Sequence, residues 1–314
     1  EPVRTPLLSF CHLAAQLRAG GHEVALLDAS APHAPHDHDA IAARIEAFAP
    51  DLVGLHLKTL HVQPAYALAA VLAERFVLVG GGPHATIVPD EPLGRGFRWV
   101  IRGEGEDALV ELADVIDARS EVTAAGRATV RKAETGTPAE IAGLSWIDRG
   151  IVRHNPARPF LTELDRLAPP LSALDLFEPA WYGEPPAPGM LLAPAGILSS
   201  RGCPAACTFC SNDVTGRKFR YRSAASVASE IALLRERHGL RGFSFFDDSF
   251  AVGRRRVREL CDAIVGAGAP VWWTCTAHPA HLDRDVLADM KRAGCAGVDI
   301  GMESADPEML VRIG

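Results

Sequence analysis

The sequence predicts an α/β protein: an open parallel sheet in the N-terminal part, followed by a second series of strand–helix units. Three observations carry this. Apolar runs of strand length alternate with helices of about 10–15 residues, the mark of βαβ units. One run, PDLVGLHLKT (50–59), is apolar throughout, as in a parallel strand buried on both faces. Glycine clusters follow two of the strands, at the edge where such sheets take their ligands.

The elements follow in order. LLSFCHLAAQLRAGG (7–21) has helical spacing and stops at Gly20-Gly21. HEVALLDA (22–29) reads as a strand, and HDAIAARIEAFA (38–49) as the next helix. After the strand 50–59 come the helix PAYALAAVLAER (64–75) and the strand FVLVGGG (76–82). A short strand, RWVIRG (98–103), leads to the helix GEDALVELADVID (105–117). Crossovers between such strands are right-handed. A sheet of this kind begins with a strand, whereas residue 1 enters on a loop and helix, so the expectation is a chain cut after its first strand.

Composition narrows the function classes. The 314 residues suffice for two domains, and 48% hydrophobic with 23% charged residues is a soluble globular profile. No apolar run approaches a membrane span, and no charged-then-apolar leader precedes the first helix. A net charge of −7, from 32 basic and 39 acidic residues, argues against a nucleic-acid partner. Seven cysteines, three of them crowded together, point to a reducing cytoplasm and metal chemistry rather than disulfides.

GGGPHAT (80–86) and RGEGE (102–106) lie at the carboxyl ends of two strands, where glycines admit a bulky ligand and the helix beginning near Glu106 offers amide donors. Each alone reads as a tight turn; two on one edge point to a ligand site. LAAQLRAGGHEVALLDA, PDLVGL, VGGGPHAT and IRGEGEDALVEL, in this order, resemble the cobalamin-binding domain that precedes many radical SAM enzymes. The resemblance implies a Rossmann-like sheet with the nucleotide tail of cobalamin along its strand ends. The candidate contacts are Thr59, Gly80, Gly81, Gly82, His84, Gly103, Glu104 and Gly105. The Asp-x-His-x-x-Gly motif that supplies a histidine to cobalt in the wider group is missing; its place falls near residues 1–6, and no lower axial histidine is expected. APHAPHDHDA (31–40) carries three histidines and two aspartates, but in a Pro-rich loop that enforces no geometry, so it is read as solvated.

Residues 118–140 are polar and weakly periodic, and are read as exposed. IAGLSWIDRGIVRHN (141–155) reads as a hairpin turning at Asp148-Arg149-Gly150, and a Pro-rich connector runs on to about residue 189. The expected division is therefore 1–120 for the cobalamin-type domain, 121–189 for hairpin and connector, and 190–314 for the second domain.

RGCPAACTFC (201–210) places Cys203, Cys207 and Cys210 in a loop after the strand AGILSS (195–200). Helical spacing of buried thiols is one alternative, against which Gly202 and Pro204 speak. Structural zinc is another, but it takes four protein ligands, and the nearest downstream histidine, His238, ends a predicted helix (224–239). Thiolates also select iron–sulfur clusters. The CxxxCxxC motif in this setting closely resembles the signature of the radical SAM superfamily. That resemblance implies a [4Fe–4S] cluster held by the three cysteines, with S-adenosylmethionine (SAM) chelating the fourth iron and Phe209 near its adenine. It further implies a partial βα barrel, with strands 242–250, 271–277 and 297–304 and helices 254–268 and 283–294. Polar residues at the strand ends match relatives' SAM contacts: Asp247 and Asp248 for the methionyl group, Glu303 and Ser304 for the ribose or amino-acid portion. Capping of the next helix is an equal reading for Asp248. Further barrel strands are expected beyond DPEMLVRIG.

The basic, aromatic stretch GRKFRYRS (216–223) is read as a solvated segment or a carboxylate contact for SAM. Cys11, Cys261 and Cys295 are read as inert, and Cys275 as facing the barrel interior. Trp272 and Trp273 point to opposite sides of their strand, so at most one meets substrate.

As a member of the cobalamin-binding radical SAM family, the chain is expected to generate a 5′-deoxyadenosyl radical and to methylate an unactivated carbon through methylcobalamin. A natural-product or lipid intermediate is the expected substrate, and a flavodoxin or ferredoxin the electron donor. A cyclase or oxidising enzyme that moves no methyl group is the alternative with the same cofactors, and a non-catalytic corrinoid- or metal-binding regulator is the alternative of another class.

Overall fold

The computed structural model describes residues 7–117, 120–122, 128–130, 137–182, 196–212, 214–239, 241–268 and 271–313, without the side chains of 118–136 and His238. The chain divides into two compact units: Leu13–Ala29 with Pro35–Leu161, and the remainder.

The first of these follows α1 (Leu8–Ala19) with α2 (His38–Phe48), β1 (Val53–His56), α3 (Val62–Leu72), β2 (Leu78–Gly81), α4 (Pro83–Ile87), α5 (Asp90–Leu93), β3 (Trp99–Ile101) and α6 (Glu106–Asp117). A short ladder of β4 (Ser120–Val122) and β5 (Ala128–Val130) precedes the hairpin of β6 (Leu144–Asp148) and β7 (Ile151–His154). The main sheet has the order β1-β2-β3-β6-β7. β1, β2 and β3 run parallel, as continuous apolar runs require, but β6 pairs antiparallel with β3. The sheet is therefore mixed rather than wholly parallel, and the hairpin expected between domains extends it.

Alternation along the strands gives this sheet two cores. Leu78 and Val100 face Leu57, Tyr66, Ala69, Leu72 and Phe97, whereas Val79, Trp99 and Ile101 face Ala108, Leu112, Val115 and Leu144. Each buried Leu or Val contributes about 1.5–3 kcal/mol, so both faces are strongly specified. Residues 22–29, expected as a strand, belong to none: a strand needs a ladder, and no described strand pairs with them. In the loop 31–40, Asp37 caps α2, accepting from Ala40 N at 2.9 Å.

The second unit contains β8 (Gly196–Ile197), β9 (Ser200–Arg201), β10 (Arg220–Tyr221), α7 (Ala224–His238), β11 (Gly242–Phe245), α8 (Arg254–Gly266), β12 (Trp272–Thr276), α9 (Arg284–Arg292), β13 (Cys295–Asp299) and α10 (Pro307–Ile313). Its four-stranded sheet has the order β13-β12-β11-β8, all parallel, so chain order and sheet order coincide as in successive units of a βα barrel. Ser223 and Asp283 cap α7 and α9, which explains where those helices start. Phe243, Phe245, Trp273 and Cys275 are buried on one face of this sheet. On the other, Ser244 and Thr274 share a 2.7 Å hydrogen bond between their hydroxyls. Trp273 is enclosed and donates its indole N–H to Ala293 O, while Trp272 lies on the opposite face and is part exposed. Cys275, expected toward the interior, shares the Trp273 face; period-2 alternation puts it there. Among the described residues no helix is long and apolar enough to cross a membrane.

Candidate functional site

The cysteine loop leaves β9 and is tied down at both flanks. Gly202 has φ of 82°, and a Cβ on it would lie 2.5 Å from Lys218 O and 2.8 Å from Gly216 O, so the position requires glycine. Asp248 Oδ2 accepts from Gly202 N at 2.9 Å and from Thr215 Oγ1 at 3.0 Å. Within the loop Cys210 N donates to Cys207 O at 3.2 Å. Asn212 donates to Cys203 O at 3.4 Å and accepts from Cys210 Sγ at 3.5 Å. Cys203 and Cys207 are half-buried and Cys210 is exposed. Burial, followed by the neighbouring Cys203 and Cys207, pushes the Cys210 thiol up.

Cys203 and Cys207 thus lie near enough to act on Cys210. Yet among the described residues no three His, Cys, Asp or Glu side chains come together as a single metal ion needs. A three-thiol set of this kind suits a multi-iron cluster, whose thiolates bind separate irons, better than one closed zinc ion. Phe209 stands out between the last two cysteines, 57% exposed.

Directly beneath, Asp247 receives Ser199 N at 2.7 Å, Ser200 N at 3.1 Å, Ser200 Oγ at 2.8 Å and the Ser199 hydroxyl. Arg256 Nη2 lies 3.3 Å from the same carboxylate, whose side chain is 0% exposed. Asp247 was expected against SAM; enclosed and fully engaged, it holds the protein instead. The strand expected over 195–200 is split: β8 ends at Ile197, the amide of Ser199 turns to Asp247, and Ser200 begins β9, which pairs with β10 instead. Asp248 does not cap α8, whose N-cap is Gly253. Glu303 and Ser304 lie past the end of β13, not within a strand to 304; Glu303 has a left-handed φ of 53°, and Ser304 Oγ accepts from Asp306 N at 3.0 Å.

The segment 216–223 is part solvated, as expected, with Arg217, Lys218, Tyr221 and Ser223 exposed and Arg220 buried. Arg217 and Arg220 bond to Ala205 O and Thr215 O, Arg222 pairs with Glu230, and the Phe219 and Tyr221 rings lie 5.3 and 5.7 Å from the Arg256 guanidinium. Cys11 and Cys261 are buried thiols, each pushed up to about 12 by burial. The Cys275 thiol contacts Cys295, which, with burial, raises it further.

At the carboxyl ends of β2 and β3 the expected contacts divide into two groups. Gly81 and Gly103 look onto open space, with no atom within 4 Å of an added Cβ, and Thr59 is exposed. The other expected contacts are packed against the protein. Gly80 packs under Leu57 and Phe97, and Gly105 against Leu13 and Ile101. Gly82, with φ of 102°, lies beneath the His56 ring and Leu57 O. Thr86 Oγ1 donates to Gly82 O at 2.9 Å and accepts from Gly103 N at 3.0 Å, joining the two glycine loops. His84 is buried, 3.1 Å from Thr59 Oγ1 through Nδ1; its Nε2 lies 3.3 Å from Glu91, outside hydrogen-bonding geometry. Glu104 is buried and accepts from Leu161 N at 2.7 Å.

Residues 4–113 match the B12 binding domain model, and residues 197–314 match that of the radical SAM superfamily. The chain carries a B12-binding domain and a radical SAM domain. It is 31% identical, over 98% of its length, to a protein of Pyrococcus horikoshii named an uncharacterized methyltransferase, of which it covers 63%. It is 26% identical, over 92%, to the anaerobic magnesium-protoporphyrin IX monomethyl ester cyclase of Cereibacter sphaeroides, covering 45% of it. The chain therefore spans less than two thirds of these relatives. Its fold is similar to that of the cobalamin-dependent S-adenosylmethionine radical enzyme OxsB, with a TM-score of 0.77 and 18% identity over 100% of this chain and 44% of that one.

Arg256, Ser199, Ser200, Thr215 and Asn212 escaped the sequence reading of the radical SAM domain. Ser199 and Ser200 stand immediately before the Arg-Gly-Cys start of the motif, a signal that was present; Arg256, inside a polar helix start, gave none.

Proposed function

We propose that this chain supports cobalamin-dependent radical SAM methylation of an unactivated carbon. The observation that carries the reading is a three-thiol loop, fixed at both flanks, in a chain whose other unit presents open glycines at its strand ends. Cys203, Cys207 and Cys210 would hold three irons of a [4Fe–4S] cluster. Phe209 would flank the adenine of SAM, with Glu303 and Ser304 toward its ribose or amino-acid portion. Gly81, Gly103 and Thr59 would line the corrinoid tail, while Gly80, Gly82, His84, Glu104 and Gly105 shape the wall behind it. When bound, the cluster and SAM supply the radical and the corrinoid the methyl group; the protein supplies position. The methyltransferase name of the Pyrococcus relative supports the methyl assignment. The seven free thiols suit a reducing cytoplasm, and a flavodoxin or ferredoxin is the natural class of electron donor.

After anaerobic reconstitution the protein should take up iron and sulfide, turn brown and bind corrinoid. With methyl-labelled SAM, reductant and substrate, label should appear in product alongside 5′-deoxyadenosine. Cys207→Ala should abolish SAM cleavage and leave corrinoid binding intact; surviving cleavage sinks the assignment. The cyclase name of the Cereibacter relative favours a second reading, ring formation without methyl transfer, for which 5′-deoxyadenosine forms but product carries no label.

A further inference from the structure

We propose that Asp248 is the positioning residue of the cysteine loop, ordering the three thiols through the backbone rather than by touching a ligand; the cluster part of this rests on the function proposed above. A single oxygen, Oδ2, accepts from Gly202 N on one side of the motif and from Thr215 Oγ1 on the other. Gly202 immediately precedes Cys203, and Thr215 follows Cys210 by a few residues, so one carboxylate fixes the span between the two ends of the loop. A loop with both ends pinned to one point loses most of its conformational freedom before any metal arrives.

The anchor itself is rigid. Asp247, the preceding residue, is enclosed and held by Ser199, Ser200 and Arg256, so the end of β11 cannot swing away. Gly202 is also trapped on its other side, beneath the carbonyls of Gly216 and Lys218. Asp248 has no competing duty at α8, which starts from Gly253. The second tie, from Thr215, is reinforced because Arg220 bonds to Thr215 O. Two adjacent aspartates at one strand end thus divide the work. Asp247 locks the strand leading into the loop, and Asp248 locks the loop.

The test begins with the metal-free full chain. In Asp248→Ala, hydrogen exchange at Gly202 and alkylation of Cys203, Cys207 and Cys210 by iodoacetamide should each quicken about tenfold, the change in an opening equilibrium expected on losing one ordinary hydrogen bond. Thr215→Val, which removes one tie, should fall between. Asp248→Asn should restore the slow rates, because its amide oxygen can accept both bonds. The unfolding midpoint should stay unchanged in all three. After anaerobic reconstitution, iron loss to a chelator should follow the same order. Unchanged exchange and alkylation in Asp248→Ala overturn the inference. So does an Asp248→Asn chain that holds iron normally yet loses SAM binding as severely as Asp248→Ala, since the carboxylate would then be a ligand contact. If the unaltered chain takes up no iron, the proposed function fails, and the metal-free rates still decide the role of Asp248.

Discussion

Replacing Asp247 with alanine tests whether the buried ion pair under the cysteine loop is a structural keystone. Asp247 has a fully enclosed side chain, accepts from Ser199 and Ser200, and faces Arg256 at 3.3 Å. Burial pulls the Arg256 guanidinium below its ordinary range, and Asp247 is the first influence opposing that pull. Without the carboxylate, a buried cation and several donors lose their acceptor. Breaking a buried pair from one side costs about 3–5 kcal/mol. Arg256 keeps its bond to Phe250 O at 2.6 Å and the rings of Phe219, Tyr221 and Phe250 around it, which favours the lower end. About 3 kcal/mol, at 2–4 °C per kcal/mol for a unit of this size, lowers the melting temperature by roughly 6–12 °C. Calorimetry and urea titration of the metal-free chain, followed through the buried Trp273, measure this. The double variant Asp247→Leu/Arg256→Met should recover much of the loss, because it removes the charge along with its partner. A loss below about 1 kcal/mol for Asp247→Ala, or a double variant no better than the single, would refute the reasoning.

Gly202→Ala forces a methyl 2.5 Å from Lys218 O at a φ of 82°, and should cost about 1–3 kcal/mol in thermal unfolding while speeding iron loss. His56 is pulled from 6.5 to about 4, by burial and then by Lys58. Between those values the unfolded chain binds the proton and the folded one does not, so stability is full above pH 6.5 and falls toward pH 4, by up to about 3 kcal/mol. Urea midpoints across that range should lose this slope in His56→Phe, and a retained slope contradicts it. Trp273→Phe removes an enclosed indole bonded to Ala293 O at 2.8 Å and should cost about 2 kcal/mol, whereas Trp272→Phe should cost less than about 0.5; denaturant titration separates the two.

Local signals were read well where chemistry and periodicity coincide. Cys203, Cys207 and Cys210 are found in one loop because Gly202 and Pro204 cannot continue a helix, and the parallel strands emerged from their apolar runs. The mixed sheet was not legible: β6 and β7 looked like a free hairpin, and nothing in their spacing says that β6 lies beside β3. The segment 22–29 has a strand's composition, but pairing is not a local property. The basic stretch 216–223 looked like surface, and Arg217, Lys218 and Tyr221 are exposed, but the partners of Arg222 and Phe219, namely Glu230 and Arg256, became visible only after folding.

The amino-acid order alone thus determines the two domain types, the thiol motif and the glycine loops, because each is written in residues close along the chain. Which members of those motifs face outward was decided by the tertiary structure. Asp247 and Asp248 are adjacent in sequence and were read as a pair, but the loop that follows β11 buries Asp247 against Ser199, Ser200 and Arg256 and leaves Asp248 exposed. The same holds for the glycines, where Gly81 and Gly103 stand open while Gly80 and Gly82 are covered by Leu57, Phe97 and His56. Burial and hydrogen-bond partners come from segments tens of residues away, and only packing brings those together.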